Sequence, residues 1–191
     1  MKILAFTDIH ASKIAFKKLR AFISHNKIDL AIFCGDFTNS WVEDIDFVKE
    51  VITYFKNKKT RFYAVPGDND RQQVLDLLSD QNVSLHYQPK KIGNYMFYGI
   101  GGLGAPDEYI LVEQRFHKID PNTIFVSHVP PKFKLVKKAK ILPSVHIYGH
   151  IHFRAYSKTV RGCLFIQMSS ILRSQVAILE LPSKKVEFIN I

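Results

Sequence analysis

Acidic and imidazole side chains follow five separate apolar runs of this chain. They stand in five short blocks: Asp8-Ile9-His10, Gly35-Asp36, Gly67-Asp68-Asn69-Asp70, Ser127-His128 and Gly149-His150-Ile151-His152. Carboxylate oxygens combined with neutral imidazole nitrogens, without cysteine, suit divalent ions such as Mn²⁺, Fe²⁺, Ni²⁺, Co²⁺ or Zn²⁺. The blocks therefore predict a site for two such ions, and they exclude a structural zinc site of the cysteine type.

Each of these residues taken singly has a more ordinary explanation. An Asp after a strand is commonly a helix cap or a turn residue, and a lone His is more often hydrogen-bonded than bound to a metal. Five coincidences at the ends of five strands favour a shared site instead. Residues two apart on an extended segment also point the same way, so Asp8 with His10, and His150 with His152, can each present two donors to one metal site.

The elements that must position these blocks alternate along the chain. Apolar runs typical of strands cover residues 3–6, 30–33, 62–65, 124–126 and 145–148. Apolar residues at helical spacing cover 14–23 and 42–52, and a shorter helix is predicted over 71–79. Alternating strands and helices predict βαβ units and a largely parallel sheet. Because the carboxyl ends of such strands form the ligand crevice, residues far apart in the chain can meet there.

The last third of the chain has a different pattern. Short runs at 155–160, 163–168, 176–180 and 185–191 are separated by Arg-Gly, Ser-Ser or Pro-Ser-Lys-Lys, and they predict antiparallel hairpins. We predict one α/β domain over residues 1–191, whose sheet, or second sheet, ends in a meander.

Residues 99–104 match the dinucleotide pattern G-x-G-x-x-G, but no acidic strand end follows at the required distance. A flexible loop that leads to a helix near 107–117 is the favoured interpretation.

The five blocks, in this order, resemble those of the calcineurin-like metallophosphoesterases. The pattern of that family is D-x-H, G-D-x-x-(D/N), G-N-H-(D/E), a His after a strand, and G-H-x-H, and the resemblance covers residues 8–152. It implies a four-layer αββα sandwich of two mixed sheets flanked by helices, and a phosphoric ester hydrolase, most simply a phosphodiesterase, that uses Mn²⁺.

The resemblance also implies a role for each block. One ion would be held by Asp8, His10, Asp36 and His152, and the other by Asp36, Asp68, His128 and His150. Asp36 then bridges the two ions, and a hydroxide that they share attacks phosphorus in line. No protein nucleophile is needed.

The third block departs from the family pattern at two positions. Asp68 replaces an Asn ligand, and the added negative charge predicts tighter metal binding and a weaker Lewis acid. Asn69 replaces a His that helps to bind phosphate and to protonate the leaving group. An Asn can donate a hydrogen bond to a phosphoryl oxygen but cannot give up a proton, so Asp70 or a water is the candidate donor. Because general acid help contributes about 10²–10⁴-fold in rate, activated phosphodiesters should react ahead of alkyl phosphomonoesters.

The charge and composition of the chain limit the classes of molecule that it can bind. The 27 Lys and Arg exceed the 17 Asp and Glu, and the net charge of +10 favours phosphorylated small molecules, nucleotides or nucleic acid. Five lysines between 132 and 140 form either an anion-steering rim or a solvated loop. Arg154 and Arg173 could reach a bound phosphate.

No secretory signal and no run long enough for a bilayer is present, which predicts a cytoplasmic protein without a membrane segment.

Two other classes of function compete with hydrolysis. One is a non-catalytic scaffold that keeps the metallophosphoesterase fold, and the presence of all four block histidines argues against it. The other is a basic nucleic-acid-binding or nuclease module, for which stripes of basic and aromatic residues are missing. The aromatic residues Trp41 and Phe47 are instead assigned to packing on helix faces.

Overall fold

Two β-sheets form the centre of the fold in the computed structural model, which describes residues 1–41, 44–102 and 119–191. The first sheet contains β1 (Lys2–Phe6), β2 (Leu30–Phe33), β3 (Arg61–Ala64), β10 (Gln175–Glu180) and β11 (Lys185–Asn190), in the order β11-β10-β1-β2-β3. The second contains β4 (Lys90–Ile92), β5 (Tyr95–Ile100), β6 (Thr123–Ser127), β7 (Val145–Tyr148), β8 (Tyr156–Val160) and β9 (Cys163–Gln167), in the order β4-β5-β6-β7-β9-β8.

The described helices lie on the outer faces of the sheets. They are α1 (Lys13–Ser24), α2 (Ile45–Asn57), α3 (Gln72–Asp80) and the short α4 (Phe133–Val136). The side chains of Ser12 and Asp44 cap α1 and α2 by accepting hydrogen bonds from the backbone N–H groups of Ala15 and Phe47. None of the helices in this part of the chain has the length and apolar character that crossing a bilayer requires.

Three apolar layers hold these elements together, which confirms the predicted αββα sandwich. The α1–α3 helices bury residues such as Phe16 and Val51 against the first sheet, and Ile32 packs towards Val126 between the two sheets. The outer face of the second sheet buries Phe125 together with α4. The helix predicted near 107–117 lies outside the described residues, as do Val42 and the end of the 99–104 pattern.

The parallel and antiparallel strands fall where the sequence pattern predicts them, with one exception. Strands β1, β2 and β3 pair in parallel, as do β5, β6, β7 and β9. The predicted hairpins β8–β9 and β10–β11 are confirmed. The prediction of a continuous meander is wrong, because the chain crosses from the second sheet to the first through a 3₁₀ turn at Ile171–Arg173. Strand β10 is buried on both faces, and pairing with β1 gives it this central place.

Two apolar side chains predicted to pack on helices are exposed instead. Trp41 precedes the capped start of α2 and has 91% of its surface exposed, so its assignment to packing is wrong. Ile14 is 76% exposed because it lies beside the stripe of α1 that carries Ala15, Leu19 and the other buried residues of this helix. Phe47 is buried, as predicted.

Candidate metal centre

The five blocks directly follow β1, β2, β3, β6 and β7, and the backbone links them at the carboxyl edge of both sheets. The N–H of Asp8 donates to the carbonyl of Gly35 at 2.9 Å, and the N–H of Gly149 donates to the carbonyl of His128 at 3.0 Å. Glycine is required where the loops touch: a Cβ on Gly35 would lie 2.6 Å from Nδ1 of His128. The loops therefore approach closely enough for the side chains of different strands to meet.

Four of the predicted ligands have a left-handed backbone. The φ angles are 54° at Asp8, 47° at His10, 65° at Asp36 and 67° at His150. This conformation is uncommon outside glycine, and it concentrates at sites where the surrounding structure imposes it. This backbone follows three of the five strands, β1, β2 and β7.

The first cluster consists of Asp8, His10, Asp36 and His152, whose ligand atoms all lie within 4.8 Å of one another. Nε2 of His10 is 3.3 Å from Nε2 of His152 and 3.7 Å from Oδ2 of Asp36. Nε2 of His152 is 3.1 Å from Oδ1 of Asp8. Three strands of the first and second sheets thus contribute to one group of four potential ligands.

The second cluster consists of Asp68, His128 and His150. Oδ1 of Asp68 is 2.7 Å from Nε2 of His128 and 3.2 Å from Nδ1 of His150. Asp36 belongs to this neighbourhood as well, because its Oδ1 lies 3.6 Å from Nε2 of His128. The two oxygens of one buried carboxylate therefore face the two clusters.

The hydrogen bonds behind the histidines fix which nitrogen faces the cleft. Nδ1 of His10 donates to the carbonyl of Thr38 at 3.1 Å, and Nδ1 of His128 donates to the carbonyl of Cys34 at 2.8 Å. A carbonyl can only accept, so in each neutral ring the free lone pair is on Nε2, the atom that faces the carboxylates. Backbone carbonyls orient metal-binding histidines in this way in many metalloproteins.

The charges and unpaired oxygens of the clusters are suited to a bound cation. Oδ1 of Asp8 is buried and accepts no hydrogen bond from any residue of the described part of the chain, because Nε2 of His152, although 3.1 Å away, does not have the geometry of a hydrogen bond. Burial by itself lowers the pKa of His128, but its hydrogen bond to Asp68 and the charge of Asp36 raise that pKa to about 9. The hydrogen bond from His128 in turn holds the pKa of Asp68 well below its usual range. Lone pairs that converge without enough protons between them fit divalent ions.

Comparison with known protein families agrees with this geometry. The model of the calcineurin-like phosphoesterase superfamily domain matches residues 1–180. The chain belongs to this superfamily. Among curated proteins, this calcineurin-like domain is 28% identical to the uncharacterized protein MJ1162 of Methanocaldococcus jannaschii over 161 residues, which cover 77% of the chain and 69% of that protein.

Solved structures share the fold of the phosphoesterase domain. The protein TT1561 of Thermus thermophilus superposes with a TM-score of 0.80 at 16% identity, over 99% of this chain and 98% of that one. A structure described as a novel archaeal phosphodiesterase has a TM-score of 0.65 at 21% identity, with 100% of both chains covered. A dimetal phosphatase from Danio rerio has a TM-score of 0.63 at 9% identity, over 95% and 93%. At these identities the likeness shows the fold.

Asn69 of the phosphoesterase domain lies against Asp36. Its side-chain nitrogen donates to Oδ2 of Asp36 at 2.7 Å, and its backbone N–H donates to Oδ1 of Asp36 at 2.9 Å. The sequence pattern predicts a contact between this amide and a phosphoryl oxygen. In the structure the amide donates to the carboxylate that lies between the two clusters, and its contact with a phosphoryl oxygen stays a prediction.

Asp70 lies behind the centre, buried beneath the loop after β2. Its two oxygens accept five hydrogen bonds, from the backbone N–H groups of Asp36, Phe37, Thr38 and Gly67 and from the hydroxyl of Thr38. Burial raises the pKa of Asp70, and the backbone N–H groups counteract this effect. Because five donors point at these oxygens, a proton on Asp70 would displace one of the donors.

Ser170 contributes to the centre, and the sequence reasoning missed it. Its hydroxyl donates to the carbonyl of Asp8 at 2.8 Å, and its N–H donates to the carbonyl of His152 at 3.1 Å. Ser170 thereby ties the ends of β1 and β7 together. The Ser-Ser pair at this position predicts a hairpin turn, and only the crossover between the sheets shows its contact with the ligands.

Proposed function

We propose that the protein is a metal-dependent phosphoric ester hydrolase that binds two divalent ions and acts on phosphodiesters. The observation that supports this most is the position of Asp36, whose Oδ2 faces His10 at 3.7 Å and whose Oδ1 faces His128 at 3.6 Å. A carboxylate between two groups of ligands suits two cations that share it. We expect Mn²⁺, and Fe, Ni, Co or Zn would suit the same oxygen and nitrogen ligands.

The side chains around the centre divide into ligands and residues that orient the ligands. The ligands we propose are Asp8, His10, Asp36, Asp68, His128, His150 and His152. When bound, the two ions supply charge stabilisation and an activated hydroxide for attack on phosphorus. The carbonyls of Thr38 and Cys34 keep Nε2 of His10 and His128 available. We assign Asn69 to orienting Asp36, and Asp70 to holding the loop that carries Asp36.

This assignment changes the expected source of the leaving-group proton. Asn69 has no proton to give, and both oxygens of Asp70 accept hydrogen bonds from backbone N–H groups. No side chain of the third block is then placed to act as general acid, and water is the remaining donor. Esters with good leaving groups depend least on this help.

We therefore expect the Mn²⁺-loaded protein to hydrolyse bis-p-nitrophenyl phosphate, and to hydrolyse p-nitrophenyl phosphate no faster. Dialysis against a chelator should abolish the activity, and Mn²⁺ should restore it. Metal analysis in parallel should give two ions per chain. Release of p-nitrophenolate, followed by its absorbance, is the measurement.

Three outcomes would contradict the proposal in different ways. Bound metal without hydrolysis of monoesters, diesters, cyclic nucleotides or nucleic acids would support a non-catalytic scaffold. Salt-sensitive binding of DNA or RNA without cleavage would support a nucleic-acid-binding module. A much higher rate on p-nitrophenyl phosphate would leave hydrolysis intact but reverse the preference for diesters.

The charge of Asp68 should strengthen retention of the ion in the second cluster. Asp68→Asn keeps the shape of the side chain but removes a negative charge 2.7 Å from His128 and 3.2 Å from His150. We expect roughly tenfold weaker retention of one ion, which is the loss of metal affinity that substitution of a residue in contact with a metal ligand typically causes. Metal content after dialysis against graded chelator concentrations measures this.

Asp76→Asn is the matched control for this substitution, because Asp76 is an exposed carboxylate on α3 that accepts a hydrogen bond from Gln72. It should leave the metal content unchanged. Equal retention of metal by Asp68→Asn and the wild type would show that Asp68 is not a ligand.

A further inference from the structure

A cavity of about 370 Å³ opens beside the first cluster, between the segment after His152 and the start of β10. Its walls include Phe153, Arg154, Ser169, Arg173, Gln175 and Asn190. This volume is within the range of sites that bind small molecules. None of the proposed metal ligands lines the cavity, so it is a space distinct from the two clusters.

Two wall residues of the cavity are chain neighbours of residues at the metal centre. Phe153 directly follows His152, and Ser169 directly precedes Ser170, which bonds to the main chains of Asp8 and His152. Consecutive Cα atoms are about 3.8 Å apart, so Phe153 lies one residue from the ligand His152, and Ser169 lies one residue from Ser170, which bonds to the backbone of two ligands. This adjacency places the cavity beside the first cluster.

The side chains that face the cavity offer donors. Within residues 1–41, 44–102 and 119–191, the guanidinium groups of Arg154 and Arg173 form no hydrogen bond and no ion pair, and no carboxylate lines the space. The hydroxyl of Ser169 donates to Gln175 at 2.7 Å, and the amide of Gln175 donates to Asn190 at 3.5 Å. Because the oxygen of the Asn190 amide accepts this bond, its NH₂ group is a further donor for a ligand.

Two guanidinium groups with free N–H donors in one cavity suit a phosphate, because each can form two parallel N–H···O bonds to phosphate oxygens. The guanidinium of Arg154 lies over the ring of Tyr156, 5.1 Å from its centroid, and this contact leaves the N–H groups at its edge available. Phe153 adds an aromatic ring with 76% of its surface exposed at the mouth of the same space. An exposed ring next to cationic groups is a surface on which a planar base can stack.

We infer that this cavity binds a second phosphate of the substrate, so that the preferred substrates are phosphodiesters of phosphorylated nucleosides. Arg154 and Arg173 are the residues that determine this specificity. The inference rests on the proposed function, since it concerns what is bound next to the ester that the metal centre cleaves.

The test compares two esters that have the same leaving group. They are the p-nitrophenyl ester of thymidine 5′-phosphate and the same compound with a phosphate on the 3′-oxygen. We expect the wild type with Mn²⁺ to prefer the 3′-phosphorylated ester at least tenfold in kcat/KM. The double variant Arg154→Gln, Arg173→Gln should lose at least tenfold of this ratio, whereas general damage to the fold would lower both rates and leave the ratio unchanged.

Two variants sharpen the comparison. Arg61→Gln removes an exposed arginine at the start of β3, at the opposite edge of the first sheet, and should keep the full ratio. Arg154→Lys with Arg173→Lys retains the charge without the paired N–H groups, and should keep an intermediate ratio. The single variant Arg173→Gln gives the same test if the double variant fails to fold.

Equilibrium binding separates this inference from the proposed function. Calorimetric titration of the Mn²⁺-loaded protein with thymidine 3′,5′-bisphosphate should give at least tenfold tighter binding than thymidine 5′-monophosphate, and the double variant should lose this difference. If neither ester is hydrolysed but the difference in binding holds, the cavity assignment stands and the proposed function fails. A ratio near one for the wild type, in hydrolysis or in binding, would overturn the inference.

Discussion

Replacing Asp36 by Asn is expected to lower kcat/KM by about 10³-fold or more and to release at least one of two bound ions. The side chain keeps its shape, but one carboxylate oxygen becomes an NH₂ group that cannot bind a cation. In the structure one oxygen faces each cluster, at 3.7 Å from His10 and 3.6 Å from His128. A loss of 10³-fold corresponds to about 4 kcal/mol of transition-state stabilisation.

The measurement is kcat/KM on an activated diester together with metal analysis of the same samples. Asp46→Asn is the matched control, because Asp46 is an exposed carboxylate in the first turn of α2 that pairs with Lys49. It should retain both ions and full activity. An Asp36→Asn protein that kept two ions and lost less than tenfold in rate would show that this carboxylate does not connect the two clusters.

Asp70→Asn should have its largest effect on the stability of the fold. The carboxylate accepts five hydrogen bonds, four of them from backbone N–H groups, so an NH₂ in place of one oxygen would face donors with no acceptor. Hydrogen bonds to a charged group contribute about 1.5–3 kcal/mol each and are not additive, and breaking a buried network costs about 3–5 kcal/mol. We expect a decrease of about 3–5 kcal/mol in the free energy of unfolding.

Urea unfolding of the metal-free protein isolates this effect, because bound ions would add their own stabilisation. Asp46→Asn again serves as the control and should change the free energy of unfolding by less than about 0.5 kcal/mol. If Asp70→Asn left the stability unchanged but lowered kcat on esters with poor leaving groups, Asp70 would be a proton donor and its assignment to the loop would be wrong.

Much of the fold could be predicted because its signals are local. Apolar runs of four or five residues mark strands that are buried on both faces, and helical spacing marks α1 and α2. The seven predicted ligands lie in two groups because parallel strands bring their carboxyl ends to one edge. A local pattern and one rule about sheets predicted that these residues meet, and the family resemblance supplied their division between two ions.

The remaining features depend on contacts that no local pattern contains. Asn69 turns towards Asp36, and Asp70 turns into the loop after β2, because these loops lie against each other in the folded chain. The crossover through Ser170 depends on β10 pairing with β1. Trp41 is exposed because α2 begins only at Ile45, after its cap at Asp44. Tertiary neighbours decided each of these outcomes.

The place of β1 inside its sheet has a consequence for synthesis on the ribosome. Strand β1 pairs with β2 on one side, but its other neighbour is Gln175–Glu180, which is synthesised more than 160 residues after it. Until then one side of Lys2–Phe6 presents unpaired N–H and C=O groups, which attract other extended chains. Nascent molecules that stall before β10 should therefore be the species that chaperones must shield, whereas a finished molecule covers this strand within itself.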